Sequence, residues 1–272
     1  MRYVYTLMSG LGLVVWPVYE QAAAASTLKP HRAIYDLQLD RADQKSGITG
    51  LTGRMVYEFN GSACEGYTTN FRFVTKIDMD EQPQRITDQQ TTTFESGNGD
   101  MFRFVNKTFV DQNLSKEVRG NARLEKNSTD VTLKVPEENS IKLERSQFPT
   151  RHMEELIGKA SKGEAFYQTT LFDASEDADR VMATTVVIGK QQDAPSDSET
   201  KSMGTLGSEK SWPVSIAYFD DEENNEGLPT YRVNFKLYRN GVTRALKMDY
   251  GDFSMTGTLV GLQMYDAPKP CK

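Results

Sequence analysis

Apolar and polar residues alternate with period two over most of the chain. In HRAIYDLQLD (31–40), Tyr35, Leu37 and Leu39 fall on one face and Asp36, Gln38 and Asp40 on the other, the pattern of a half-buried strand. In GYTTNFRFVTKIDM, Tyr67, Phe71, Phe73, Ile77 and Met79 share one face across more than ten residues. QRITDQQTTTF, MFRFVNKTF, LSKEVRG, STDVTLKV and SIKLER continue in strand-length runs. Asn60-Gly61, Gly97-Asn98-Gly99 and Pro136-Glu137-Glu138 supply turn chemistry between them. After mid-chain the pattern resumes in AFYQTTLFD, RVMATTVVIG, WPVSIAYFD, TYRVNFKLY, VTRALKMDY and FSMTGTLVGLQMY, with Asn240-Gly241 as a two-residue hairpin signal. Long strands joined by short polar turns predict a mainly β protein of about 14 strands in an antiparallel meander.

One segment departs from this pattern. In FPTRHMEELIGKASKGE, residues Met153, Leu156, Ile157 and Ala160 recur at i, i+3, i+4 and i+7, an amphipathic helix stripe. The helix is expected over about 150–162, with Thr150 as N-cap, Glu155 and Lys159 as an i,i+4 pair and Gly163 as its stop. Its apolar face is expected to pack on the sheet. Residues 190–211 contain only Ala194, Met203 and Leu206 as apolar members and read as a long mobile loop.

The N-terminus reads as an export signal. Arg2 precedes an apolar stretch from about Val4 to Val18, and Ala23-Ala24-Ala25 meets the small-x-small rule. Cleavage is expected between Ala25 and Ser26, leaving residues 26–272 as one β domain in the periplasm. The apolar stretch is short for a membrane span, and no cysteine follows the alanines to take a lipid. In an oxidising compartment, the chain's two cysteines, Cys64 and Cys271, are most simply one disulfide; the alternative is two unrelated buried thiols. A bridge at the penultimate residue would also restrain a terminal strand from fraying.

The net charge of −6, with no basic cluster or stripe, argues against nucleic acid and anionic membrane surfaces as partners. No apolar run after residue 25 is long enough to span a membrane, and a soluble monomer is expected. The inventory for catalysis is poor. Only His31 and His152 exist, and no G-x-S-x-G elbow is present; His152 reads as a helix-surface or capping group. Zinc and copper lack a ligand set. DMDE (78–81) and DDEENNEGLP (220–229) lack calcium-loop spacing and read as solvated turns. No catalytic residue, metal or cofactor is therefore assigned. A pair of acids acting on glycan stays open, because their separation in space is not legible.

At HRAIYDL, FPTRHMEELIGKASKGEAFYQTTLFD, WPVSIAYFD and GDFSMTGTLVGLQMY the chain resembles the EipB-type family of periplasmic cell-envelope integrity proteins. The resemblance covers essentially the whole mature chain, and its motifs are structural. It implies a single spiral-like antiparallel sheet, similar to the half-barrels of lipoprotein carriers, with a helix against it. It also implies a disulfide between an early cysteine and a C-terminal one, positions that Cys64 and Cys271 match. The function expected is non-enzymatic maintenance of the envelope by binding a lipid, a lipoprotein or a periplasmic protein in or around the curved sheet. The alternative is a glycan-directed envelope hydrolase.

Overall fold

A computed structural model describes residues 28–220 and 227–266. Two meanders meet in one antiparallel sheet. The first runs β1 (His31–Ala42), β2 (Ile48–Ser62), β3 (Gly66–Met79), β4 (Gln82–Glu95), β5 (Met101–Val110), β6 (Asn113–Leu124), β7 (Ser128–Val135) and β8 (Asn139–Glu144). The helix α1 (Pro149–Lys162) follows. The second meander runs β9 (Phe166–Leu171), β10 (Met182–Ile188), β11 (Trp212–Phe219), β12 (Tyr231–Leu237), β13 (Thr243–Asp249) and β14 (Phe253–Met264), with a short helix α2 (Ser198–Ser202) between β10 and β11. The last strand returns to pair with the first, so the 14 strands are ordered 8-7-6-5-4-3-2-1-14-13-12-11-10-9.

That order leaves β8 and β9 as the two edges, although only α1 separates them in sequence. Fourteen strands laid flat would place the edges about 60 Å apart, and a 14-residue helix is only about 21 Å long. The sheet must roll. The backbone shows that it does: Gln147, just past β8, donates its N–H to Thr170 O at 3.2 Å and accepts from Phe172 N at 3.0 Å, bridging to the end of β9. The result is a spiral whose edges meet locally, with α1 as the crossover.

Two cores fill it. The larger joins β1–β3 and β10–β14 to α1 and the α2 region, and includes Tyr35, Leu37, Phe73, Trp212 and Leu237. The smaller lies on β5–β7 and is closed by Phe148, Phe172, Ala174 and Ala178. Phe102 stacks on Phe148 at 5.2 Å and meets Phe172 edge-on at 6.2 Å. The alternation of β1 places Ala33, Tyr35 and Leu37 inward at 2% exposure or less. Tyr35 carries its hydroxyl into the core only because Thr243 O accepts it at 2.7 Å.

Three local expectations are corrected. Residues 190–211 are not a structureless loop: they hold α2 and a 3-10 turn (Gly204–Ser208), and both Met203 and Leu206 are buried in the larger core. A reciprocal capping box between Asp197 and Thr200 stabilises α2, a local signal overshadowed by the segment's polarity. Strand β2 runs through Asn60-Gly61 to Ser62, and the turn follows at 63–65. The helix begins at Pro149, so Thr150 lies inside its first turn.

Candidate functional site

The entry of α1 gathers three buried polar residues, Glu95, Thr150 and His152. Its N-cap residue is Phe148, fully buried in the smaller core and without a capping side chain. Pro149 suits the first helical position because it has no N–H to leave unsatisfied. The N–H groups of Thr150 and Arg151 still need acceptors, and Glu95 at the end of β4 supplies both. Its Oε2 accepts from Thr150 N at 2.7 Å and its Oε1 from Arg151 N at 3.2 Å. A carboxylate distant in sequence thus does what an N-cap Ser or Asp does locally. Burial pushes the Glu95 carboxyl up to about 7, against the pull of those backbone bonds and of the Arg151 charge.

This cap is tied to the turn that carries Cys64. Arg151 Nη2 donates to Gly97 O at 2.7 Å, and Nη1 pairs with Glu154 at 2.6 Å. Tyr67, directly after that turn, donates to the same Glu154 at 3.4 Å. The β4–β5 turn lies so close to the Cys64 turn that a Cβ on Gly97 would sit 1.8 Å from Ala63 O; only glycine fits. His152, one residue further along α1, is buried rather than on the helix surface, and its Nε2 has no hydrogen-bond partner among the described residues. Burial lowers its pKa to about 4, so the ring is neutral near pH 7.

Leu156, Ile157 and Ala160 are buried at 5% exposure or less, and Met153 packs beside them. Gly163 closes the helix in the left-handed conformation (φ 78°), its N–H returning to Ala160 O. Phe71 and Phe73 of β3 contact each other at 5.9 Å and belong to the same core, so the apolar inner face is occupied by the chain itself. His31 is buried at the start of β1, with Nδ1 2.8 Å from Lys29 O. Cys271, Ala25, Ser26 and positions 221–226 lie outside the described residues. No free cysteine, and no metal-sized cluster of His, Cys, Asp and Glu, occurs among the described residues.

A second buried polar centre was not legible in the sequence. Glu199 of α2 accepts from Ala245 N at 3.0 Å and from Leu259 N at 2.7 Å, filling a gap in the ladder between β13 and β14. Arg244, only 3% exposed, donates to Glu199 and Asp197, each at 3.3 Å, and to the Tyr238 hydroxyl at 3.0 Å.

The sequence profile described as EipB-like matches residues 22–266. The chain belongs to the EipB-like family. Over 264 residues it is 69% identical to the cell envelope integrity protein EipB of Brucella abortus (strain 2308), covering 96% of this chain and 94% of that relative. A crystal structure of a beta-barrel-like protein of a domain of unknown function from Brucella abortus superposes with a TM-score of 0.87 at 72% identity. It covers 89% of this chain and all of that one. The mainly β fold of this chain is therefore shared with that beta-barrel-like protein. That relative's name states envelope integrity and names no reaction. No helix among the described residues is long and apolar enough to cross a membrane.

Proposed function

We propose that this protein maintains the cell envelope from the periplasm by binding a lipid, a lipoprotein or a protein partner, and not by catalysis. The observation that carries this reading is the 69% identity to a named envelope integrity protein over nearly the whole chain. The filled interior directs the reading further. With α1, Met203 and Leu206 covering the apolar inner face, the surface left for a partner lies around the spiral. For the hydrolase alternative, Glu95 has the raised pKa wanted of an acid. It is 2% exposed, however, and both its oxygens serve the helix. Native mass spectrometry of protein recovered from its own periplasm tests the proposal: a non-covalent lipid or protein adduct is expected. A bare chain that cleaves envelope glycan would reverse it.

Processing, domain extent and the cysteine pair fit this reading. We propose that residues 1–25 are removed between Ala25 and Ser26, that 26–272 form one domain, and that Cys64 pairs with Cys271. The register supports the pairing. Met264 of β14 sits opposite His31, which sits opposite Phe59, three residues before the end of β2. Tyr265 N continues to Pro30 O at 2.9 Å. The chain therefore leaves β14 at the sheet end that carries the Cys64 turn, two strands or about 10 Å away, and the residues up to Cys271 reach about 20 Å. Thiol labelling of denatured, unreduced protein should find no free cysteine; two labels per chain would reject the bridge.

A further inference from the structure

The outer face of β4–β7 carries a groove of about 570 Å³ that the reading above does not use. Phe94 and Val105 contribute apolar lining, and Arg103, Arg119 and Lys134 rise around it from three successive strands, with the Asn121 amide between them. The Arg103 guanidinium lies 4.8 Å from the centre of the Phe94 ring, a cation–π contact that restrains it at the groove wall.

Three features separate this groove from ordinary charged surface. First, none of the three cations has a carboxylate within ion-pair distance among the described residues. Elsewhere on the sheet Arg54 pairs with Asp36, Arg72 with Asp88 and Lys247 with Asp40. Glu117, on the groove's side of β6, lies 3.8 Å from Lys107. In a chain of net charge −6, a concentration of unpaired positive charge is not the default. Second, β5 and β6 are interior strands, so their cations are not needed to protect an edge from pairing. Third, Lys134 is the extra residue of a β-bulge: Arg119 pairs with Val135 and Gly120 with Leu133. A bulge re-aims the side chain it carries, and Lys134 lines the same groove as Arg119.

We propose that this groove binds a phosphorylated saccharide of one or two rings. Its volume falls in the range of about 300–1,000 Å³ typical of small-molecule sites, larger than a bare anion needs. Three cations suit a phosphate monoester, which carries about −1.5 to −2 charge, better than a single carboxylate. Two guanidinium groups offer the paired N–H donors that phosphate oxygens accept. The Val105 side chain gives a sugar ring an apolar surface beside the Arg103–Phe94 pair, and the Asn121 amide lines the same groove for hydroxyl groups. This inference goes beyond the lipid, lipoprotein or protein partner proposed above by adding a second ligand class at a separate groove, so the two can fail separately.

The test is calorimetric titration of the mature protein, at low ionic strength, with N-acetylglucosamine 1-phosphate. Inorganic phosphate, N-acetylglucosamine and anionic phospholipid vesicles serve as separate arms. The sugar phosphate should bind at least tenfold more tightly than phosphate or the neutral sugar. Arg119→Gln and Lys134→Gln, both at exposed positions, should each weaken it about tenfold with the melting midpoint unchanged. Arg103→Lys should weaken it while keeping the charge. Equal affinity for inorganic phosphate, binding to vesicles alone, or unaltered binding by the variants would overturn the proposal. If Arg119→Gln abolishes the interaction in solution yet fully restores envelope function in cells, the groove is not the functional site, while the binding reading stands.

Discussion

Two helices lie inside the spiral, and they are held by opposite means. α1 is long, and its stripe of Leu156, Ile157 and Ala160 disappears into the larger core. Its one buried carboxylate partner, Glu95, serves backbone donors and is kept near its protonation point by burial. α2 has only five residues, and its anchor is ionic: Glu199 meets Arg244 and two strand N–H groups. The two attachments tolerate different perturbations. Apolar burial scales with area and is insensitive to pH. A buried ion pair adds little against an apolar substitute but is costly to break from one side.

The largest expected effect comes from α2. Arg244→Met should leave Glu199 buried without its guanidinium and cost about 3–5 kcal/mol in denaturant unfolding. Adding Glu199→Gln should recover a good part of that loss, since the amide oxygen still accepts from Ala245 and Leu259. A single-variant cost below about 1 kcal/mol would mean that α2 is not held by the pair. Next comes α1: Leu156→Ala should cost about 2–5 kcal/mol, as truncations in packed cores do. A change under about 0.5 kcal/mol would show that this stripe does not anchor α1.

The smallest effect is the most specific, because it has a sign. Glu95 has a folded pKa raised to about 7, so its stabilisation is full below its ordinary value near 4.5 and is lost as pH rises towards 7. His152 works in reverse: with a folded pKa lowered to about 4, its contribution is full above 6.5 and is lost as pH falls towards 4. The two slopes oppose each other between about pH 4.5 and 6.5, which flattens the wild-type profile there. Glu95→Gln should remove one slope, of at most about 1.4 kcal/mol per pH unit. The variant should then lose stability towards pH 5 more steeply than the wild type and compare best with it at pH 8. Parallel profiles for the two proteins would show that Glu95 does not titrate in this range.

The strands and α1 were legible because each repeats one simple period over many residues. β3 was readable to its ends because Tyr67, Phe71, Phe73 and Ile77 share a parity and Gly66 opens the strand. The polar anchors were not. In β4, apolar Ile86 and Phe94 share the outward parity while Glu95 points inward, so the alternation there misleads. Thr150 looks like an N-cap because the true cap is contributed by a strand far away in sequence. α2 hides in a polar stretch because its fit depends on Arg244 and on a gap between β13 and β14, neither of which has a local signature. The groove around Arg103 was equally hidden, since its cations come one to a strand and never form a run.

Binding as opposed to catalysis is put to the test by returning Glu95→Gln to cells lacking the gene and measuring growth under envelope stress. Glu95 is the buried carboxyl best suited by its pKa to serve as a catalytic acid. Growth equal to that given by the wild-type gene is expected. Failure to restore growth, by a variant exported and folded like the wild type, would contradict the binding reading.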